Sequence, residues 1–205
     1  AKMWDLPEEA VEWVDGAVQP CGPNAGDFPA VSIAEIAGKA PQTGGPIAGH
    51  CEVNAEGAGV SFAAHIADVE VDEDTGRTTV HRYTVVQDAG KAIHPAYVEG
   101  QYQGGAAQGI GWALNEGYVY GDDGLMQNPG FLDYRIPVCS DLPMIDTEII
   151  EIPNKGHPYG VRGVGETSIV PPLATIANAI RSATGARVNQ VPMAPPVVLK
   201  ALEES

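Results

Sequence analysis

The sequence predicts an α+β fold, and three patterns carry that prediction. Residues 61–90 read as two long strands joined by a turn, residues 98–113 as a glycine-rich helix, and residues 169–184 as an amphipathic helix. Hairpins followed by helices point to a mixed or antiparallel sheet packed on by helices, here the glycine-rich helix and the C-terminal amphipathic one.

Taken in order, "LPEEAVEWVDGAV" predicts a short helix and then a strand across the Asp15-Gly16 turn. "VSIAEIAGKA" (31–40) predicts a second short helix, and "PQTGGPIAGH" is turn chemistry throughout. In the next stretch Phe62, Ala64 and Ile66, then Val69 and Val71, recur with a period near two and one slip, which predicts a bulged strand. Its partner is rich in β-formers (Val80, Tyr83, Val85, Val86), and the turn lies at Asp72–Gly76. "GYVYGDDGLMQN" predicts a short hairpin on Asp123-Gly124, and "MIDTEIIEIPN" a strand. Ile169, Leu173, Ile176 and Ile180 repeat at helical steps from a start near Ser168; Pro171 and Pro172 fit the first turn and Gly185 the end. Residues 1–57 form a variable, loop-rich preface to a main domain over 58–205.

Lys+Arg 11 against Asp+Glu 27 gives a net charge of −16, which repels nucleic acid and anionic membranes. No apolar run approaches the roughly 20 residues that span a bilayer. Cys21, Cys51 and Cys139 are far apart, form no C-x-x-C pair, and fit free thiols in a reducing cytoplasm. Neither they nor the five histidines fall at metal-ligand spacing, so no metal ligand is expected from this chain. The N-terminus has neither an initiating Met nor a signal-peptide pattern, as expected of a processed product or a piece of something longer.

Two features invite a chemical reading. Glycines 100, 104, 105, 109 and 111 lie within twelve residues of a predicted helix. Each costs about 1 kcal/mol relative to Ala there. They fit a tight packing seam, or a ligand pressed to the helix with Gln101, Gln103 or Gln108 as hydrogen-bonding groups. In "RGVGETSIVPPLATIANAI" Glu166 stands behind Gly163 and Gly165, just before a helix start. A carboxylate there is stabilised by the helix dipole. The bare glycine backbone equally suits close approach of an anionic or oxo-rich ligand.

"VEGQYQGGAAQGIGWALNEGYVY", "NPGFLDYRIP" and "GVRGVGETSIVPPLATIANAI" resemble, in order, three segments of the molybdenum-binding subunit of the xanthine dehydrogenase/aldehyde oxidoreductase family, the molybdenum hydroxylases. The hairpin before them resembles the preceding segment of that family. The likeness covers about residues 58–187, and the preface matches loosely.

This resemblance implies that residues 58–205 are the C-terminal portion of a molybdopterin-binding subunit. It implies Glu166 as the general base beside molybdenum, Gln101 as a hydrogen-bonding partner of the pterin, and the backbone of Val164 and Gly165 as neighbours of the metal's oxygen ligands. It also implies an enzyme that oxidises an electron-poor carbon of an N-heterocycle, purine or aldehyde with water-derived oxygen. The cofactor would be molybdenum-molybdopterin, with a cytosine dinucleotide as one form. Partners would be the remaining molybdopterin-binding chain or segment, a [2Fe–2S] subunit and an FAD subunit, with a small-molecule substrate. Thr167 and Ser168 stand where many relatives have proline or another small residue. The alternative is a non-catalytic structural or cofactor-insertion subunit of such an assembly.

Overall fold

The computed structural model describes residues 1–54 and 59–205. The chain divides into two compact units, Ala1–Asn54 and Ala55–Ser205. The domain boundary expected at 57/58 lies outside the described residues.

In the first unit β1 (Val11–Val14), β2 (Ala17–Pro20) and β3 (Val31–Ser32) form an antiparallel sheet. Asp15 (φ 48°) and Gly16 (φ 81°) make the two-residue turn between β1 and β2. Left-handed conformation at both positions matches the twist of paired strands, so the residues before the turn are drawn into β1. The helix expected there is reduced to one 3₁₀ turn, Glu8–Ala10. The second expected helix forms as α1 (Ile33–Lys39), with Ser32 and Glu35 closing a reciprocal capping box. Those hydrogen bonds to Ser32 hold the Glu35 carboxyl below its ordinary pKa.

In the second unit β4 (Ala63–Val71) and β5 (Thr78–Asp88) pair antiparallel, with the expected slip between Asp68 and Val69. β6 (Ile145–Ile150) pairs with β5 on its other edge, in parallel. Parallel pairing needs a crossover, and α2 (Pro95–Leu114) lies within it. The β4–β5–β6 sheet is therefore mixed, with β5 central. The hairpin expected at 117–128 shrinks to one bridge, Tyr120–Met126, beside which Asn128 bonds Val119 N–H and Gly117 C=O through its side chain. A side chain has taken ladder positions that a longer hairpin would give to backbone.

Only one face of the sheet is covered. Tyr83, Val85 and Gln87 point toward the helices and are fully buried with Tyr102, Ala106, Ile176 and Ile180. On the other face Ala64, Ile66, Asp68, Asp146 and Glu148 are exposed. α3 begins at Pro172, later than expected, after a separate 3₁₀ turn over Thr167–Ile169, and runs to Thr184 with Gly185 (φ 81°) as its left-handed cap. α4 (Pro195–Glu203) buries Val198.

The α2 glycines divide in two. A Cβ on Gly105 would strike the Ser168 hydroxyl, and one on Gly109 would lie 2.5 Å from Pro172 Cγ. Gly100 and Gly104 have nothing within 4 Å. The packing seam thus accounts for Gly105 and Gly109. Gly105→Ala should destabilise the chain by about 1–3 kcal/mol in urea unfolding through overpacking. Gly104→Ala, which meets no neighbour, should stabilise it by about 0.5–1 kcal/mol; equal effects of the two would refute this division.

His65 is a second point of measurement. Its Nδ1 lies 2.8 Å from the Tyr83 hydroxyl, and burial lowers its pKa from 6.5 to about 4. The folded chain then binds fewer protons than the unfolded chain between these values, so stability should fall as pH drops from about 6.5 toward 4. In pH-resolved urea unfolding, His65→Leu should flatten that segment of the curve whatever its absolute stability.

Candidate functional site

The site is built where β5 ends. Beyond β6 the chain turns through Asn154–Gly160 and comes back beside Ala89–Lys91: Lys91 N–H donates to Gly160 C=O (2.9 Å), and Arg162 N–H to Ala89 C=O (3.0 Å). Gly90 (φ 65°) is needed at the crossing, because a Cβ there would run into the Gly160 carbonyl. Arg162 Nε then meets Asp88 Oδ2 at 2.8 Å, with side chains only 15% and 7% exposed. Asp88 Oδ1 accepts from Gly90 N–H (2.8 Å) and Ile152 N–H (3.1 Å). Arg162 also donates to Ile152 C=O (3.2 Å) and Val60 C=O (2.6 Å). One ion pair with its hydrogen bonds satisfied thus fixes the start of the loop 163–166.

The rest of the loop is held from α2. The buried Ser168 hydroxyl lies 3.2 Å from Gln101 C=O and 3.3 Å from Gly165 C=O, bridging helix and loop. The Gln101 side-chain oxygen would be 3.3 Å from a Cβ on Gly165, so glycine leaves this amide its place. Val164 and Gln101 line one cavity of about 220 Å³ with Ile93, Tyr97 and Val98. The structure therefore brings Gln101, Val164 and Gly165 together.

Glu166 follows on the same turn but opens on a second, shallower cavity of about 400 Å³, beside Phe62, Ala63, Val170 and Pro171. Its carboxylate makes no capping bond to the 3₁₀ turn. With α3 starting only at Pro172, the helix-dipole account of this acid loses its helix. The acid is exposed and unengaged among the described residues.

The other two glutamines part company. Gln103 donates to Ile145 C=O (3.2 Å), tying α2 to β6, while Gln108 lines a separate cavity with Trp112 and Tyr134. Among the described residues no group of three or more His, Cys, Asp or Glu is placed to hold a metal ion.

Sequence reading missed Asp88, Arg162 and Ser168. Asp88 and Arg162 are too distant along the chain for any local pattern to pair them. It also missed Gln87, fully buried with neither amide atom partnered among the described residues. The backbone C=O of Gln87 accepts the Tyr102 hydroxyl at 3.1 Å, and burial, with the charge of Asp88, pushes the Tyr102 pKa up to about 12.

The residues fit an oxo-rich, hydrogen-bonding organic cofactor. The Gln101 amide, which has no side-chain hydrogen bond among the described residues, sits beside the loop with glycine at 163 and 165, and the free Glu166 carboxylate follows on the adjoining cavity.

Comparison with known proteins agrees. Residues 1–143 match the family model of the molybdopterin cofactor-binding domain, so the match includes the preface and ends before Glu166. The chain is 33% identical over 171 residues to a putative xanthine dehydrogenase molybdenum-binding subunit of Escherichia coli K12, covering 82% of this chain and 23% of that one. Over 98% of its length it superposes on the Cu,Mo-CO dehydrogenase with a TM-score of 0.78 at 25% identity, covering 26% of that chain. Over 70% it superposes on aldehyde oxidoreductase from Desulfovibrio gigas, TM-score 0.64 at 36% identity, covering 15% of that chain. The chain thus spans about a quarter or less of the proteins it resembles.

Removing one member of the buried pair tests its role. Arg162→Met should cost about 3–5 kcal/mol by leaving Asp88 uncompensated. Hydrogen exchange should speed up first at the amides of residues 160–166; uniform loss of protection over the unit would show that the pair does not hold this loop in particular.

Proposed function

The chain belongs to the molybdopterin cofactor-binding family of the molybdenum hydroxylases, and from that premise we propose that it supplies the general base of such an enzyme. The observation that carries the reading is Glu166: an unengaged carboxylate one residue beyond the backbone cradle Val164–Gly165, against which Gln101 sets its amide. The chain is one part of a larger molybdopterin-binding subunit, and the site is completed by the remainder.

In this reading Gln101 holds the pterin through its side-chain amide, which can donate and accept at once. The backbone of Val164 and Gly165 lets the cofactor's oxygen atoms approach without a side chain between. The bound molybdenum cofactor supplies two-electron redox chemistry and activates water. Glu166 takes up the proton released as water-derived oxygen is committed to substrate, and returns it to solvent between turnovers. Exposure serves that second step. The Arg162–Asp88 pair and Ser168 contribute by keeping the loop in one conformation, so the acid and the cradle stay in register.

The substrate class is an electron-poor carbon, in an N-heterocycle, a purine or an aldehyde. The cofactor is molybdopterin, the cytosine dinucleotide being one of its forms. In this reading [2Fe–2S] clusters and FAD would be held by partner chains and would serve as electron acceptors; Cys21, Cys51 and Cys139 of this chain are free thiols. Among the described residues no helix is long and apolar enough to cross a membrane. A cytoplasmic complex fits the free thiols.

Glu166→Gln, introduced into the intact protein, should lower kcat by about 10²–10⁴-fold. Molybdenum content and subunit composition should stay at wild-type levels. Unchanged turnover would remove Glu166 from the chemistry and leave the chain a structural or cofactor-insertion role.

A further inference from the structure

A separate cavity lies far from these residues. It opens where β5 starts, and Thr78 and Gln87 are separated by nine residues of strand, roughly 30 Å. Its volume is about 430 Å³, within the range of small-molecule sites. Four segments wall it: the start of β5 with Arg77 and Thr78, the end of α2 with Asn115, the loop with Arg135, Ser140 and Asp141, and the approach to α4.

Its chemistry runs against that of the whole chain. Acids outnumber cations 27 to 11, yet two arginines line this cavity and one acidic residue does. Arg77 and Arg135 have no carboxylate partner among the described residues, a condition they share with Lys2, Lys39, Lys155, Arg181 and Arg187; what sets them apart is that both line one cavity. Asp141 spends one oxygen on Val138 N–H (3.0 Å) and forms no ion pair with either arginine.

We propose that this cavity binds the phosphate group of a small hydroxylated molecule. Guanidinium groups present planar forks of N–H donors that match a phosphate's oxygens, and two arginines from different segments line this wall. Asn115 and Ser140 add neutral donors. A free phosphate would gain nothing from Asp141, but a sugar phosphate could donate its hydroxyls to that carboxylate. The site stands independently of the role given to Glu166. A ligand here would clamp the β4–β5 hairpin to the end of α2.

Isothermal titration of the intact protein with inorganic phosphate, ribose 5-phosphate and ribose tests this. Both phosphate probes should bind saturably and more weakly as salt rises, ribose 5-phosphate the more tightly; ribose alone should not bind. Arg135→Gln and Arg77→Gln should each weaken binding by about tenfold or more. Arg77 lies on an exposed turn, so its variant keeps the comparison open even if Arg135→Gln misfolds. Equal affinity for the two phosphate probes would support a site for the phosphate group alone. No saturable binding at millimolar phosphate, affinity unmoved by both variants, or ribose binding as tightly as ribose 5-phosphate would each overturn the proposal.

Discussion

The Asp88–Arg162 ion pair is the constraint on which the candidate site depends. It joins the end of the central strand to a loop more than seventy residues later in the chain, and it is nearly closed to water. Taking two charges out of water is expensive, so such a pair is weak grounds for stability by itself. Its value lies in geometry. Asp88 gives one oxygen to the ion pair and the other to the N–H groups of Gly90 and Ile152, while Arg162 also reaches the carbonyls of Ile152 and Val60. The loop 163–166 leaves this knot in one direction only. Bare glycine backbone is tolerable there because flexibility is removed at its root, by Arg162, and again at its far end, by Ser168.

The glycine helix belongs to the same logic. Gly105 and Gly109 exist to let the 3₁₀ turn and Pro172 rest on α2, which brings the loop within reach of Gln101. Gly100 and Gly104 do nothing for that contact and leave the helix surface open beside Gln101. Packing and ligand access therefore occupy different faces of one helix, spaced so that one face seats the loop and another stays bare. The helix cost of Gly100, Gly104, Gly105 and Gly109 is offset only if both faces are used, and Gly111 makes room instead for Glu116 and Pro137.

Much of this was legible along the chain, because it is local. The bulged hairpin follows from a period of two with a single slip, the first turn from Asp15-Gly16, and the end of α3 from Gly185. The failures are just as physical. Residues 11–14 became a strand since the Asp15-Gly16 turn demanded a partner for β2. Glu166 was placed at a helix start that lies further on, because Pro172 sets where α3 can begin. Gln101, Val164 and Gly165 were picked out through resemblance, and no spacing rule would have joined residues of α2 to a loop so remote in sequence.

By itself, then, the sequence determined the elements whose signals act within a few residues: strand alternation, turn glycines, helix caps, the excess of acid and the family likeness. Tertiary structure decided the parallel placement of β6, the division of labour among the glycines, the burial of Asp88 with Arg162, and the lining of one cavity by two arginines. The reason is that backbone preferences and periodicity act over a turn or a strand. Ion pairing, close approach and cavity walls are contacts between distant segments, and they come into being only when the sheet and its helices are assembled.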